Sequence, residues 1–327
     1  MKRRTVLVIG GTGLLGKALI ETCPFGIEIL ITHLRNGWQD AIPCPTMRVD
    51  VTDKEGLFGL LEETHPEVVI HAAGANSVDF AEANKSAART INVCGTQNVI
   101  DACHEHGSEL IYISSNAVFS GEDPPYSENS TRLPVNYYGE LKVEAENLVM
   151  TSGLECAIVR AILMYGWHFL QSRPNPVTTW IRSLEAQRPV QVVDDRYSQP
   201  LFAEDCAAVI WRIVESSATG IYHVAGTDRL TLYEFALQTA QVFDLDAHLV
   251  EPVPSSYFPQ LAPRPVDTSF SILKIQTELQ VFPMGTPAGL QQMKMSRLAV
   301  SVGSAEDSAH NTRLQHGLPA DVVHSAP

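Results

Sequence analysis

The sequence lacks the excess of basic residues that nucleic-acid-binding proteins usually carry. Its 327 residues include 23 Lys and Arg against 37 Asp and Glu, which gives a formal net charge of -14 at pH 7. Because binding to a phosphate backbone depends on clustered positive charge, this balance argues against a nucleic-acid partner. We therefore expect a small-molecule ligand, whose anionic groups must be held locally by backbone N–H groups or single arginines.

Long apolar runs and paired cysteine motifs are absent as well. The first residues are charged or polar, and the apolar and β-branched run at residues 5–9 is too short for a signal peptide or a membrane span. The six cysteines are scattered, with no C-x-x-C pair and no neighbouring histidines at metal-ligand spacing. These absences predict a cytoplasmic protein with buried thiols, no metal site and no membrane contact.

Short apolar runs alternate with amphipathic segments through the first half of the chain. The runs lack alternating polarity and are bounded by turn residues, as expected for strands buried on both faces. They cover residues 5–9, 28–32, 47–51, 68–72, 110–114 and 156–163. The segments at 14–23, 54–63, 87–106 and 137–150 are predicted as crossover helices. This alternation predicts an α/β fold with a Rossmann-type, doubly wound parallel sheet.

The pattern changes near residue 167 to Pro-rich loops and shorter elements. We predict strands at 190–193 and 221–224 and a helix at 204–215. Thr231 and Glu234 have capping-box spacing and predict a helix to about residue 243, and Thr52 with Glu55 predicts another helix start. The resulting division is a first domain at 1–166 to which later segments return, a smaller C-terminal substrate lobe at 167–298 and a disordered tail at 299–327.

A glycine-rich turn stands between the first strand and the first helix. Glycines there permit a tight turn, close approach of the backbone to a pyrophosphate and close packing of helix on strand. The helix N-terminus adds N–H donors for the anion. This context predicts dinucleotide binding by the loop Gly10-Gly11-Thr12-Gly13-Leu14-Leu15-Gly16.

The end of the second strand should select between NAD and NADP. An acidic residue there accepts hydrogen bonds from a free ribose 2′-hydroxyl, whereas a basic residue binds a 2′-phosphate. The sequence has Arg35 in this segment and no acidic residue before Asp40. The segment therefore favours NADP (NADPH) over NAD; the alternative is that Arg35 is only a solvated loop cation.

Three residues form a candidate catalytic group. Ser115 follows the strand at 110–114, at the edge where ligands bind to open α/β sheets, and Tyr138 and Lys142 stand one helical turn apart. An ammonium near a phenol is expected to stabilise the phenolate and lower its pKa. Ser115 is expected to donate a hydrogen bond to a carbonyl oxygen during hydride transfer. The alternative is that Tyr138 and Lys142 are a packed surface pair.

Taken together, these segments resemble the extended short-chain dehydrogenase/reductase family. The resemblance covers most of residues 5–295, and it implies a nicotinamide cofactor, a Tyr–Lys contact with that cofactor and a homodimer. It places Asp50 by the adenine, and it implies that Asn92 supports the catalytic helix. The further motifs that carry the resemblance are Asp50-Val51, His71-Ala72-Ala73-Gly74 with its cofactor-lining small residues, and Tyr112-Ile113-Ser114-Ser115.

Within that family, the sequence resembles the dTDP-4-dehydrorhamnose reductase branch, which reduces the 4-keto group of a deoxysugar nucleotide. The segments that carry this resemblance are 114–119, Pro125-Tyr126, 220–223 and Arg264-Pro265. The branch usually has an acidic residue where this chain has Asn116, and a tryptophan near Leu163. Asn116 is a candidate for a sugar hydroxyl and Arg264 for a diphosphate, although arginines in Pro-rich loops are as often structural.

The prediction is therefore an NAD(P)H-dependent oxidoreductase that reduces the keto group of a nucleotide-linked 4-keto-6-deoxysugar. The same features are similar to the regulatory β subunit of methionine adenosyltransferase, which implies an alternative as a non-catalytic NADP-binding subunit. A second alternative is a nucleotide-sugar epimerase or dehydratase that retains NAD.

Overall fold

The structure is a computed structural model that describes residues 4–34, 42–169 and 172–297. The strands of this part of the chain are β1 Arg4–Ile9, β2 Ile27–His33, β3 Thr46–Arg48, β4 Val68–His71, β5 Glu109–Ser115, β6 Cys156–Ala161, β7 Met164–Tyr165, β8 Val190–Val193, β9 Tyr197–Ser198, β10 Leu201–Phe202, β11 Gly220–Val224, β12 Leu230–Thr231 and β13 Val250–Val253.

The helices are α1 Leu14–Glu21, α2 Lys54–Thr64, α3 Val78–Ala83, α4 Lys85–Arg89, α5 Gly95–His106, α6 Tyr137–Met150, α7 Pro176–Glu185, α8 Ala203–Ser216, α9 Leu232–Val242, α10 Leu273–Glu278 and α11 at 286–297. A π-helical turn, Thr90–Cys94, joins α4 to α5. None of the described helices is long and apolar enough to cross a membrane.

Seven strands form one parallel sheet in the order β11-β6-β5-β4-β1-β2-β3. The strand order reverses between β1 and β4, which is where doubly wound sheets bind their ligands. Side chains of β1 alternate between two cores: Val6 and Val8 pack with α1 and α8, and Leu7 and Ile9 pack with α2, α5 and α6. The α/β, Rossmann-type prediction is confirmed.

Element boundaries differ from the sequence prediction at a few places. The strand predicted at 47–51 ends at Arg48, because a turn follows in which Asp53 N–H donates to the Asp50 carbonyl. The predicted capping box at Thr52 is wrong: Asp53 is the N-cap of α2 and accepts from Gly56 N–H, while Thr52 binds Asp50. The capping box of Thr231 and Glu234 is confirmed.

A third core holds the C-terminal lobe together. It is formed by α7, α9 and α11 with the paired strands β8 and β13, and its aromatic members include Tyr165, Trp180 and Phe235. The chain does not divide cleanly at residue 166, because α8 packs on α1 and β11 pairs with β6. The division into 1–166 and 167–298 stays a prediction, and the tail predicted at 299–327 lies outside the described residues.

Candidate functional site

The glycine loop after β1 is fixed against the ends of β2 and β4. Gly10 has a φ of +86° and donates its N–H to Thr32 Oγ1 over 3.1 Å. A Cβ at Gly10 would lie 2.7 Å from Ala73 N, so a larger residue would displace the segment after β4. The structure therefore brings the loop together with Ala72 and Ala73, as the sequence predicts.

An open face of this loop lies at the start of α1. Gly13 is the N-cap, and no side chain in the described part of the chain caps the helix, so its first-turn N–H groups have no side-chain acceptor there. A Cβ at Gly13 would meet only the Gly10 carbonyl, at 3.7 Å. Gly16, by contrast, has no space for a side chain, because a Cβ there would lie 2.0 Å from the Gly11 carbonyl oxygen. Uncapped N–H groups beside an unobstructed glycine fit the pyrophosphate of a dinucleotide.

The other loop residues predicted to bind cofactor have different surroundings. Leu15 is buried in the core, and Leu14 lies against Gly166. The carbonyl of Thr12 accepts a hydrogen bond from Ser172 Oγ over 2.6 Å, which links the loop to the C-terminal lobe. Leu15 can therefore serve a cofactor only through its backbone.

The structure describes only some of the predicted cofactor residues that follow the second and third strands. Arg35 lies outside the described residues, so the basis for predicting NADP is not part of the described site. Asp50 is exposed and accepts from Thr52, while Val51 is buried and its carbonyl accepts from Asn98. The exposed side chain of Asp50 can therefore contact a ligand, whereas the side chain of Val51 packs inside the protein.

Asn92 lies in the π-helical turn and fixes the loop after β4. Its Oδ1 accepts from Ala75 N–H over 3.1 Å, and its Nδ2 donates to the Ala88 carbonyl over 3.0 Å. A Cβ at Gly74 would lie 2.7 Å from Asn92 Oδ1. The resemblance implies that Asn92 supports the catalytic helix; its side-chain hydrogen bonds instead support the segment that carries Ala73 and Gly74.

The structure brings Ser115, Tyr138 and Lys142 together at the carboxyl end of β5. Asn136 caps α6 by accepting from Gly139 N–H over 2.9 Å. A Cβ at Gly139 would lie 2.2 Å from the Ala117 carbonyl, so this glycine lets α6 pack directly on the turn after Ser115. Ser115 lies close enough to Tyr138 to influence the pKa of its phenol, and Lys142 Nζ lies 5.9 Å from the Tyr138 ring centroid.

Burial determines the acidity of this group. It raises the pKa of Tyr138 to about 12, while the neighbouring Ser115 acts in the opposite direction. Burial also lowers the pKa of Lys142 to about 8, and Glu146 opposes that shift. The expectation that Lys142 lowers the pKa of Tyr138 is wrong for this structure, because Lys142 Nζ donates to Tyr112 and to the Ile113 carbonyl instead.

Glu146, which the sequence analysis missed, anchors α6 to the sheet. Its carboxylate has no exposed side-chain surface and forms two hydrogen bonds with Arg160, Nε–Oε1 at 2.8 Å and Nη2–Oε2 at 2.7 Å. It also accepts from Ser114 Oγ over 2.6 Å and from Arg132 over 3.1 Å. The sequence does contain one signal for Glu146. It lies one helical turn beyond Lys142, on the helix face that carries Tyr138 and Lys142.

The two predicted substrate residues already have protein partners. Asn116 accepts from Ser115 Oγ over 3.2 Å and donates to Thr268 of the C-terminal lobe. Arg264 forms an ion pair with Asp79 of α3 at 2.9 Å. Asn116 is thus close to Ser115, whereas Arg264 ties a C-terminal loop to the first domain.

A second arginine, which the sequence analysis did not select, lies beside Arg264. Arg196 donates to the carbonyls of Arg264 and Pro265, and its buried Nε has no partner among the described residues.

Leu163 stands near the position where the branch usually has a tryptophan, and its side chain packs with the third core. The nearby Trp167 donates its indole N–H to the Met293 carbonyl. Neither of these two side chains belongs to the Ser115 group.

The space at Gly13 leads to a prediction for cofactor binding. Gly13→Ala should fold normally, because its backbone is extended and the new methyl group meets no close neighbour. It should weaken the binding of a nicotinamide dinucleotide, NADPH or NADH, by about tenfold or more, since the methyl group would occupy the face that the sequence predicts for the pyrophosphate. Fluorescence titration measures the affinity.

Gly59→Ala is the matched control, because a Cβ at Gly59 in α2 meets nothing within 4 Å. This control should retain the affinity of the unaltered chain. Equal affinity in Gly13→Ala would exclude the loop as the pyrophosphate site.

The fold and the site define a class of protein. A parallel sheet with this strand order, with a glycine loop after β1 and a Ser–Tyr–Lys group at the end of β5, is the architecture of Rossmann-type dinucleotide-binding proteins. The chain belongs to the RmlD substrate binding domain family, whose model matches residues 4–295.

The chain is similar in sequence to two kinds of protein, among others. The chain is 28% identical over 301 residues to a dTDP-4-dehydrorhamnose reductase of Aggregatibacter actinomycetemcomitans, covering 88% of this chain and 98% of the relative. It is also 28% identical over 288 residues to the methionine adenosyltransferase 2 subunit beta of Rattus norvegicus, covering 84% of this chain and 82% of that relative.

A solved structure supports the same fold. The dTDP-4-dehydrorhamnose reductase of Bacillus anthracis in complex with NADP superposes with a TM-score of 0.79 at 27% identity, over 90% of this chain and 99% of that chain.

Proposed function

We propose that this protein is an NADPH-dependent reductase of the keto group of a nucleotide-linked 4-keto-6-deoxysugar. The observation that carries the proposal is the meeting of Ser115, Tyr138 and Lys142 at the carboxyl end of β5, on the same edge of the parallel sheet as the glycine loop after β1. The similarity to dTDP-4-dehydrorhamnose reductases supports the choice of substrate.

Each residue of this group has a role in the proposed reaction. Tyr138 remains protonated at neutral pH because its pKa is about 12, so it can donate a proton to the carbonyl oxygen. Ser115 polarises that carbonyl by turning to it the single hydroxyl proton that it donates to Asn116 in this structure. Lys142 places a positive charge beneath Tyr138 and contacts the cofactor. Bound NADPH supplies the hydride.

Other residues hold the cofactor and the substrate in this proposal. The glycine loop residues Gly10, Thr12, Gly13 and Gly16, with the start of α1, hold the pyrophosphate of the cofactor. The small residues Ala72, Ala73 and Gly74 line the cofactor, and Asp50 lies by its adenine. Arg35 selects NADP over NAD. Arg264 and its neighbour Arg196 bind the substrate diphosphate, for which Arg264 must exchange its partner Asp79.

The test is oxidation of NADPH and NADH at 340 nm by the purified protein, with and without freshly generated dTDP-4-keto-6-deoxysugar. Sugar-dependent oxidation that prefers NADPH is the expected result. An absence of sugar-dependent oxidation in protein that binds NADPH would overturn this function.

A regulatory subunit is the second candidate, because methionine adenosyltransferase 2 beta subunits are as similar in sequence as the reductases are. Stoichiometric co-purification of an adenosyltransferase, without turnover of the sugar, would support that function. Oxidised NAD that co-purifies with the protein would instead indicate an epimerase or dehydratase. Light scattering on the same samples tests the homodimer.

A further inference from the structure

The ammonium of Lys142 is held by a tyrosine other than Tyr138. Lys142 is 3% exposed, and its Nζ donates to Tyr112 OH over 3.1 Å and to the Ile113 carbonyl over 2.9 Å. Nζ lies 4.7 Å from the ring centroid of Tyr112 and 5.9 Å from that of Tyr138. Tyr112 is therefore the nearer of the two phenols and the one that accepts a hydrogen bond from the lysine.

The hydroxyl of Tyr112 must accept from Lys142, because an ammonium has protons to donate and no lone pair. A buried chain of hydrogen bonds runs beside it, through Thr96 and His71. Thr96 Oγ1 donates its single proton to the Asn92 carbonyl over 2.7 Å, so it accepts from His71 Nε2 over 3.1 Å. The ring centroid of His71 lies 5.6 Å from that of Tyr112. The surroundings of Tyr112 on this side are therefore buried and occupied by neutral groups, and Lys142 is the donor to its oxygen.

We propose that Tyr112 is a positioning residue whose hydroxyl accepts from Lys142 and so keeps its ammonium charged and in place beneath Tyr138. This inference rests on the proposed function for the roles of Lys142 and Tyr138. A phenylalanine would fill nearly the same volume as Tyr112 but would offer no lone pair. The hydroxyl of Tyr112 is therefore the part of the side chain that does the positioning.

The charges around Lys142 show why this acceptor matters. The titratable groups that face it are Tyr138 and Glu146 from α6, Tyr112 from β5 and His71 from β4. Burial, with Lys142 as a second cause, lowers the pKa of His71 to about 3, so His71 is neutral. Glu146 is the one carboxylate among these groups. Because burial disfavours a charged amine, acceptors such as Tyr112 stabilise the ammonium at neutral pH.

Glu146 cannot supply this stabilisation alone. Its two carboxylate oxygens are occupied by Arg160, Arg132 and Ser114, and the two arginines offset its negative charge. The exposed pair of Arg89 and Glu144 lies at the solvent side of α6 and is screened by water. The neutral acceptors on β5 thus make the direct contacts with the ammonium.

The experiment follows the titration of Lys142 in the full-length chain by NMR, with ¹³C at lysine Cε and the signal assigned by its loss in Lys142→Arg. Tyr112→Phe should lower the pKa of Lys142 by about one pH unit, because a hydrogen bond to a charged group is lost. The falling limb of kcat/KM, where the ammonium deprotonates as pH rises, should move to lower pH by the same amount.

Tyr165→Phe is the matched control, because Tyr165 is also buried, donates to the Thr286 carbonyl and belongs to the third core. It should leave the Lys142 titration unchanged. An unchanged titration in folded Tyr112→Phe overturns the proposal. Tyr112→Leu is a second variant, which also removes the hydroxyl and should lower the pKa of Lys142 in the same way. If Tyr112→Phe does not fold, the Lys142 titration in Tyr112→Leu decides.

Failure of the two proposals can be told apart. A shifted Lys142 titration in a protein without sugar-dependent turnover would retain the positioning role and reject the reductase. Normal sugar-dependent turnover with an unchanged Lys142 titration in Tyr112→Phe would retain the reductase function and reject the positioning role of Tyr112.

Discussion

Replacing Tyr138 with phenylalanine is expected to lower kcat for sugar-dependent NADPH oxidation by about 10²–10⁴-fold, the usual contribution of a general acid. The substitution removes the phenol hydroxyl next to Ser115 and leaves the buried ring in place. Steady-state kinetics at 340 nm measure the loss, and thermal unfolding verifies that the variant is folded.

Tyr137→Phe is the control for that experiment. Tyr137 is the adjacent residue of α6, and its ring contacts Lys85 through a cation–π interaction that phenylalanine retains. Its kcat should stay close to that of the unaltered chain. Full turnover in Tyr138→Phe would mean that the proton comes from another group, and the proposed mechanism would fail.

Replacing Arg160 with methionine is expected to destabilise the protein by about 3–5 kcal/mol, the usual effect of removing one partner of a buried ion pair. Arg160 is 1% exposed and binds both carboxylate oxygens of Glu146, which lies wholly inside the protein. The substitution leaves that charge with only the peripheral Arg132 and a serine hydroxyl. Urea unfolding with linear extrapolation gives the change in free energy.

Lys54→Met supplies a surface comparison for the Arg160 variant. Lys54 pairs with Asp101 at 2.6 Å, and its side chain is 55% exposed. Loss of such an exposed pair should cost less than about 1 kcal/mol. If Arg160→Met were no more destabilising than Lys54→Met, the interior pair would not be what fixes α6 on the sheet.

Much of the fold could be predicted because both faces of the sheet are covered. Strands such as β1 and β4 are then continuous apolar runs, and their alternation with amphipathic helices leaves few possible arrangements. Boundaries were harder where local polar bonds compete. Asp53, for example, takes the N-cap position that the spacing of Thr52 and Glu55 assigns to Thr52.

The candidate site was predictable where its chemistry is local. The glycine loop and the one-turn spacing of Tyr138 and Lys142 are visible in the sequence, and so is Ser115 at a strand end. Tyr112 could not be selected in this way, because its role depends on which atom Lys142 reaches from another element.

The remaining site residues could not be predicted, because their contacts depend on how distant strands and loops pair in the fold. Arg160 of β6 is paired with Ser114 of the adjacent strand β5, and this pairing places it beside Glu146. Arg196 and Arg264 are separated by a helix, a strand of the main sheet and much of the C-terminal lobe. The pKa of Tyr138 was misjudged for a related reason, because spacing along a helix does not reveal how deeply a phenol is buried.

The return of α8 and β11 to the first core has an evolutionary consequence. Segments of the C-terminal lobe both precede and follow them, so the half that carries the glycine loop is not one uninterrupted stretch of coding sequence. A new substrate lobe could not be acquired by a single recombination event. Changes of substrate in a protein built this way must arise by substitutions and loop insertions around a retained scaffold.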